Sequence, residues 1–415
     1  MPLTIAFPLP KAPQLESGFA LLADPYGFIP KLQRRLHSDV FEARILLKRT
    51  FCVSGPEAAR MFYESSALTR TGAAPEPLQA TLFGKGTVQG LDGERHRRRK
   101  GVFVRLLDAE AAADLAGRVT QGWERIARQR SGQGEVDIYT ASHAVLADAA
   151  FAWAGIPVNR HEMPVRRADL VALFDDAVRS PWAHLRSRRA RARAEQWLTG
   201  IVRDVRAGKL DVPTGSALAV IAGYEEGGEL LRPRVAAAEL LNIVRPIVAV
   251  AVFIQFAVHA LYAWPQVRER TPWHDARHRQ AFCDEVRRFY PFFPVLVANA
   301  KETFDWQGVR VHAGSRVMLD LHGTNRDARA WNDADTFRPE RFFADPMPPY
   351  GLVAQGAGSV QAHHRCPGEA LAVTLMDASL GHLRPRLDYS QPPQDLSLDR
   401  GRIPALPRHR FQLGC

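Results

Sequence analysis

The chain has 415 residues, 46% of them hydrophobic and 24% charged, with a formal net charge of +11. That balance describes a large folded protein and excludes a disordered or low-complexity chain. With no Gly, Ser or Pro linker and no repeat of fixed period, residues 1–415 read as a single domain.

The positive charge concentrates in Arg95-His96-Arg97-Arg98-Arg99-Lys100 and in residues 186–193. Both clusters fall in helical patterns and read as solvated faces. No helix-turn-helix, zinc finger or aromatic-basic interleaving accompanies them, so nucleic acid is not an expected partner. A positive surface instead raises the local concentration of an anionic substrate. The proline-rich start, residues 1–13, has neither a basic leader nor an unbroken apolar run, so no signal peptide is expected. Four cysteines, Cys52, Cys283, Cys366 and Cys415, lie far apart without a pairing pattern, which suits a reducing, cytoplasmic setting.

In chain order, residues 44–47 and 50–53 predict two short strands and 56–64 a helix. Residues 70–90, rich in Gly and Pro, predict a loop. Apolar periodicity then places helices over 95–106, 109–130, 141–154, 165–178, 185–206 and, longest, 234–262. Within the last, residues 247–258 fall short of the roughly 20 apolar residues a membrane span requires. They contain Gln255 and lie between Arg245 and His259, so a buried helix is expected and no membrane crossing. Strand patterns return at 295–300, at 317–319 and near the C-terminus. The expected class is mainly α with a small β portion.

Three motifs carry chemistry. Cys366 stands in the glycine-rich segment Gln355-Gly356-Ala357-Gly358, continuing through His363-His364-Arg365-Cys366-Pro367-Gly368, at the mouth of a helix. Glycines let backbone approach a flat cofactor closely, and free amides at a helix N-terminus stabilise a thiolate. Taken alone, Cys366 reads equally as a metal ligand or as a small buried side chain. Upstream, Glu285 and Arg288 sit three apart on one helical turn, where they can pair and also reach an arginine in Phe337-Arg338-Pro339-Glu340-Arg341-Phe342. Finally, the middle of the longest helix reads Leu241-Asn242-Ile243-Val244-Arg245-Pro246-Ile247-Val248-Ala249. A charge in such apolar surroundings is costly unless neutralised, so Arg245 implies either an anion in a pocket, a surface-seeking side chain or a glutamate partner elsewhere. Pro246 removes a backbone hydrogen bond and is expected to bend the helix.

In this order the Glu-x-x-Arg helix, the Pro-Glu-Arg-Phe segment and the cysteine loop resemble the cytochrome P450 superfamily. The aromatic residue that usually opens the cysteine loop is absent. The resemblance implies the triangular helical fold of that family, with haem b (iron protoporphyrin IX) between the long central helix and the cysteine-loop helix, and Cys366 as axial ligand. An anionic sulfur on haem iron favours cleavage of an O–O bond. The acid and hydroxyl that monooxygenases of the family carry in the central helix are missing here. The Arg-Pro pair resembles instead the bacterial fatty-acid peroxygenase branch, which uses hydrogen peroxide directly and needs no redox partner.

On that resemblance Arg245 anchors a fatty-acid carboxylate, which supplies the general acid-base group the protein lacks, and Pro246 and Gln89 complete the distal side. Gln89 occupies the position where decarboxylating members carry histidine, which favours hydroxylation; read from the sequence alone, it equally caps the next helix. Arg70, His96, Lys100 and His364 are expected to hold the haem carboxylates, His96 and Lys100 being four apart on one helix face. Phe83, Phe292, Phe293, Leu173, Phe174 and Ala405 are expected to wall the acyl channel, with Phe293 biasing attack toward the alpha over the beta carbon. A partner-dependent monooxygenase, a peroxide-driven decarboxylase and a non-catalytic lipid or haem sensor are the alternatives.

Overall fold

The computed structural model describes residues 9–130, 136–344, 347–387, 395–409 and 411–413; Cys415 and the start of the chain, 1–8, lie outside the described residues. Eight long helices dominate: α1 Gly93–Leu106, α2 Ala109–Arg130, α3 Ile138–Ala154, α4 Met163–Asp175, α5 Pro181–Arg206, α6 Pro233–Ala263, α7 Ala276–Phe289 and α8 Glu369–Leu383. Their ends follow local chemistry. The Asp137 carboxylate accepts the Thr140 N–H at the start of α3, and Gly155 in the left-handed region closes it. Ser180 caps α5 through the Ala183 N–H and Pro181 fills its first turn. Asp275 does the same for α7 through Arg277 N–H.

Helix α6 is the axis of the core. From Ala236 to Leu261 every residue is buried except Pro246, which keeps partial exposure. By length and composition α6 passes as a membrane span, yet α3, α4, α5, α7 and α8 pack around it and cover it. It runs on through Pro246 without a break in its helical assignment. Helices α2 and α8 pack side by side, and Trp123 joins them: its ring is fully buried and Nε1–H donates to Ser379 Oγ at 3.1 Å. Cutting such a residue to alanine costs about 3–5 kcal/mol.

Beside the helices lies one five-stranded sheet. Its strands are β1 Val40–Ile45, β2 Lys48–Val53, β3 Leu68–Thr69, β4 Val295–Ala300 and β5 Arg316–Asp320, in spatial order β1-β2-β5-β4-β3. Only β5 and β2 run parallel, Val317 facing Phe51 on that side and Ala298 on the other. The protein is therefore mainly α with a small β portion.

Three expectations need correction. The first hairpin does not extend its strand through Leu47: β1 ends at Ile45, and Leu46 and Leu47 form the turn with φ of 52° and 60°. Two leucines carry no turn signal, so pattern reading missed it. Residues 70–90 are not plain loop; they hold short turns at Glu76–Leu78, Gln79–Phe83 and Val88–Gly90. The first basic cluster is two-faced. Arg95, Arg97 and Arg98 are exposed, but His96, Arg99 and Lys100 are buried, and so is Arg191 in the second cluster.

Candidate active site

The segment before α8 folds back on itself. The Cys366 N–H donates to the Gln355 carbonyl at 2.9 Å, and Gly356 and Gly358 adopt φ of 95° and 77°. At Gly356 a Cβ would press on Arg365 Cα at 3.0 Å, so only glycine lets the two strands of the loop approach. Gln355 stands where the family's aromatic residue is missing, and its Oε1 accepts Arg287 Nε–H at 2.8 Å. Arg287 also donates to Asp284 at 2.6 Å and to Glu369, whose other oxygen takes Arg365 Nε–H at 2.6 Å. Burial works to raise the Glu369 carboxyl; Arg287 and Arg365 outweigh it and hold it low. The base of α8 is thus tied to α7 by charge-assisted bonds.

Glu285 and Arg288 of α7 pair as expected, at 2.7 and 2.8 Å, with no exposure on either side chain. Arg341 Nε–H reaches Glu285 at 3.2 Å and the Arg338 N–H reaches it at 2.7 Å. Arg288 also donates to the carbonyls of Asn325 and Ala334 at 3.0 and 2.9 Å. Every charge in the group is compensated, the condition on which a buried ion pair is tolerable.

Cys366 is partly buried. Burial pushes its thiol up, while the Gly368 N–H, Lys100 and Arg287 pull it down. Pro246, next to Arg245, is the one partly exposed residue between Ala236 and Leu261 of α6. Arg245 itself is 7% exposed, and its Nε–H has no partner. Burial, then Arg191, pushes its guanidinium down to about 9, and the only group counteracting this is the Cys366 sulfur. Neither alternative for Arg245 is realised: it does not reach the surface, and it forms no ion pair among the described residues. The glutamate on its helix, Glu239, pairs with Arg99 at 3.1 Å.

One turn below Arg245 lies a network that sequence reading missed. Asn242 Nδ2–H donates to the Phe83 carbonyl at 2.9 Å and to Gln89 Oε1 at 3.0 Å. Glu239 accepts the Val88 N–H at 2.8 Å. Arg191 on α5 donates to the carbonyls of Thr81, Leu82 and Phe83 at 3.3 to 3.4 Å. Gln89 therefore does not cap α1; it is locked to α6, and the segment carrying Phe83 and Gln89 is fastened to both α5 and α6. Burial of Asn242 and Glu239 in a helix with an apolar stripe was the only available signal.

The expected carboxylate-binding residues assemble around Asp92. His96 and His364 stack with ring centroids 3.9 Å apart, and His364 Nε2 lies 3.4 Å from Asp92. Burial, His364 and Lys100 push His96 down to about 3; burial lowers His364 as well. Burial works to raise Asp92, but bonds from His364, Thr69 and the N–H groups of Arg70 and Thr71 hold it well below its usual range. Lys100, pushed down to about 8 by burial, donates to the carbonyls of His363 and, at 2.6 Å, Arg365. Arg70 lies over the Phe62 ring at 3.9 Å and donates to the Val297 carbonyl at 2.9 Å.

Of the expected channel residues, Phe83, Phe292 and Phe293 keep partial exposure, whereas Leu173 and Ala405 have none and Phe174 only 4%. Phe292 lies tilted against Phe253 of α6, with ring centroids 4.6 Å apart, and Phe293 meets Phe292 edge-on at 4.7 Å. The Ala405 N–H donates to Tyr26 Oη at 3.1 Å and to the Pro291 carbonyl at 3.3 Å, which seats the C-terminal turn beside these rings.

A thiol at a helix mouth, a long apolar helix, and a cluster of His, Lys and Arg fit iron protoporphyrin IX: sulfur for the metal, apolar wall for the ring, and for its two carboxylates the cations Arg70 and Lys100 with the neutral imidazoles of His96 and His364 as hydrogen-bond donors. The features define a haem-thiolate protein. Comparison with known proteins gives the family. A family model described as Cytochrome P450 matches residues 278–400. A solved variant of cytochrome P450SP alpha (CYP152B1) is 42% identical, covers 96% of this chain and 98% of its own, and superposes with a TM-score of 0.93. Cytochrome P450EX alpha (CYP152N1), solved with myristic acid, is 35% identical, with 98% of each chain covered and a TM-score of 0.93. A variant of cytochrome P450 OleT in complex with arachidonic acid is 31% identical over 98% of this chain and 97% of its own, again at 0.93. Among curated relatives, the tabersonine/lochnericine 19-hydroxylase of Catharanthus roseus matches at 27% over 117 residues, 28% of this chain and 23% of that protein. The chain belongs to the cytochrome P450 family, within the group of CYP152 structures. It is an oxidoreductase of that family, and its cofactor is haem b.

Proposed function

We propose that this protein is a peroxygenase that uses hydrogen peroxide to hydroxylate a fatty acid next to its carboxylate, at the alpha carbon in preference to the beta. Haem b, held through Cys366, supplies the oxidising chemistry by which one peroxide oxygen enters a C–H bond and the other leaves as water. The rest falls to this chain and to the substrate. The observation that carries the reading is the buried Arg245 guanidinium, which has no acidic partner among the described residues and is near enough to the Cys366 sulfur to feel its charge.

A fatty-acid carboxylate answers that charge with two charge-assisted hydrogen bonds. So held, one of its oxygens, through a lone pair the guanidinium leaves unused, takes the proton from one peroxide oxygen and returns it to the other, the general acid-base work for which α6 offers no side chain. Anchoring at the headgroup leaves only the first carbons of the chain within reach, which sets the regiochemistry. Asn242 and Gln89 keep the roof in place, and Phe292 and Phe293 narrow the space beside the anchor. Two of the similar structures hold myristic and arachidonic acid, both long-chain acids. The reading requires no electron-transfer partner. A cytoplasmic setting is supported by three free cysteines among the described residues.

The test is turnover of myristic acid with peroxide alone, set against turnover with NADPH, ferredoxin and ferredoxin reductase, with products identified by mass spectrometry. 2-Hydroxymyristic acid as main product under peroxide alone is the expected result. Mid-chain alcohols, or activity only with the reductase system, would overturn the proposal.

A further inference from the structure

Five large apolar side chains near the start of the described chain are turned to solvent: Leu15 at 94%, Phe19 at 82%, Leu47 at 73%, Leu46 at 55% and Leu22 at 54% exposure. They form one patch. Phe19 and Leu22 are three apart on the helix Gly18–Ala23, and Leu15 lies in the bend just before that helix. The Glu16 carboxylate then fastens this segment to the β1–β2 turn, accepting the N–H of Leu46 and of Leu47 at 2.9 Å each and of Gly18 at 2.8 Å. The Ser17 N–H adds a bond to the Arg44 carbonyl at 2.7 Å.

The turn itself is built against local preference. Ile45 pairs with Lys48, so Leu46 and Leu47 are its two central residues, both with positive φ, where Asn and Gly are the residues that fit. Bulky leucines in the left-handed region are strained, and strain of this kind persists where it serves a task. Packing does not account for it, because both side chains point to water.

We infer that this patch is a docking surface for an anionic lipid bilayer. Its apolar area, on the order of 500 Å², is in the range that marks interaction sites on single chains. It falls short of the roughly 800 Å² per partner that a stable dimer buries. The rim carries a net positive charge: Arg44 and Lys48 are exposed and form no ion pair among the described residues, Glu42 and Asp24 are paired with Arg49 and Lys31, and Glu16 spends its oxygens on backbone N–H groups. Apolar side chains inserted at headgroup depth with cations alongside is the chemistry of a peripheral lipid contact. The inference goes beyond the proposed catalytic role and stands whether or not that role is correct.

The experiment is co-sedimentation of the full haem-loaded protein with vesicles of pure phosphatidylcholine and of phosphatidylcholine mixed in equal parts with phosphatidylglycerol. Binding should be about 30-fold tighter on the anionic vesicles, two cations at roughly a factor of five each, and should weaken with added salt. The double variant Leu46→Asn/Leu47→Gly supplies the residues the turn prefers, so its melting temperature should hold or rise while vesicle binding falls to background. Phe19→Ser should lose binding too. Peroxide-driven activity without vesicles should be unchanged in both. No binding by the native protein, equal binding by the double variant, or a dimer in solution that the double variant dissolves would each overturn the inference.

Discussion

Replacing Arg245 with leucine should move function and stability in opposite directions. In the protein without substrate, the guanidinium is buried, its Nε–H has no partner among the described residues, and it is pushed down to about 9, well below the usual guanidinium range. A displacement of that size corresponds to a charge-burial penalty on the order of 3–5 kcal/mol. Because the folded-state value lies below the unfolded one, the penalty is fully present at neutral pH and fades only as pH climbs above about 9 into the usual guanidinium range. Leucine removes the charge among apolar neighbours such as Val244 and Val248, so the haem-loaded, acid-free variant should melt a few degrees higher. Binding should suffer instead. Two charge-assisted hydrogen bonds contribute about 2–4 kcal/mol together, so the affinity for myristic acid should fall by roughly 30- to 1,000-fold. Peroxide-driven hydroxylation should fall further, since the general acid-base group is then no longer held in place. Arg245→Lys should recover part of the binding but little of the rate, because a single ammonium does not orient a carboxylate bidentately. Calorimetric titration with myristate, differential scanning calorimetry and product analysis measure the three effects. A variant that melts lower than the native protein and still binds myristate would refute the reasoning, since Arg245 would then be a structural charge.

Removing one member of the buried α7 ion-pair group, as in Glu285→Gln, leaves Arg288 and Arg341 without compensation and should cost about 3–5 kcal/mol in urea unfolding, lowering the recovered haem-loaded fraction. Phe293→Gly opens the space beside the anchor and should raise the proportion of 3-hydroxy over 2-hydroxy product from myristate, read by gas chromatography with mass detection. Asp320 is buried at the start of Leu321–Asn325, and burial pushes its carboxyl up to about 7 against two backbone N–H bonds. Its folded value lies above its unfolded value, so its contribution favours the folded state at low pH and is lost as pH rises from about 4 to 7. Asp320→Asn should therefore gain stability relative to the native protein across that window, and a gap that stays constant with pH would count against the assignment.

Where long-range function forced a residue type, the sequence was readable. Apolar runs placed α2 and α6, the Glu285 and Arg288 spacing predicted their pairing, and an arginine within an apolar run marked a charge that the structure shows buried. The roof was different. Asn242, Glu239 and Arg191 act through backbone carbonyls and N–H groups of a segment 150 or more residues away in the case of Asn242 and Glu239, and no local pattern encodes such a partner. Arg99 looked like surface charge because its neighbours Arg97 and Arg98 are surface charge; only the rotation of α1 separates them. The Leu46–Leu47 turn was hidden for a further reason: it contradicts turn preference, and preference is what pattern reading uses.

The two sides of the site are held by different kinds of bond. Below, α8 and the cysteine loop are riveted to α7 by Arg287, Glu369 and Arg365, all charged and mostly enclosed. Above, the segment bearing Phe83 and Gln89 is held mostly through its own backbone, which meets single side chains, Asn242, Arg191 and Glu239, instead of forming ion pairs. A foundation of that sort resists drift, whereas a ceiling of that sort can be re-hung by changing one or two side chains. Diversification toward acids of other shapes should therefore accumulate overhead, leaving the sulfur and its supports untouched.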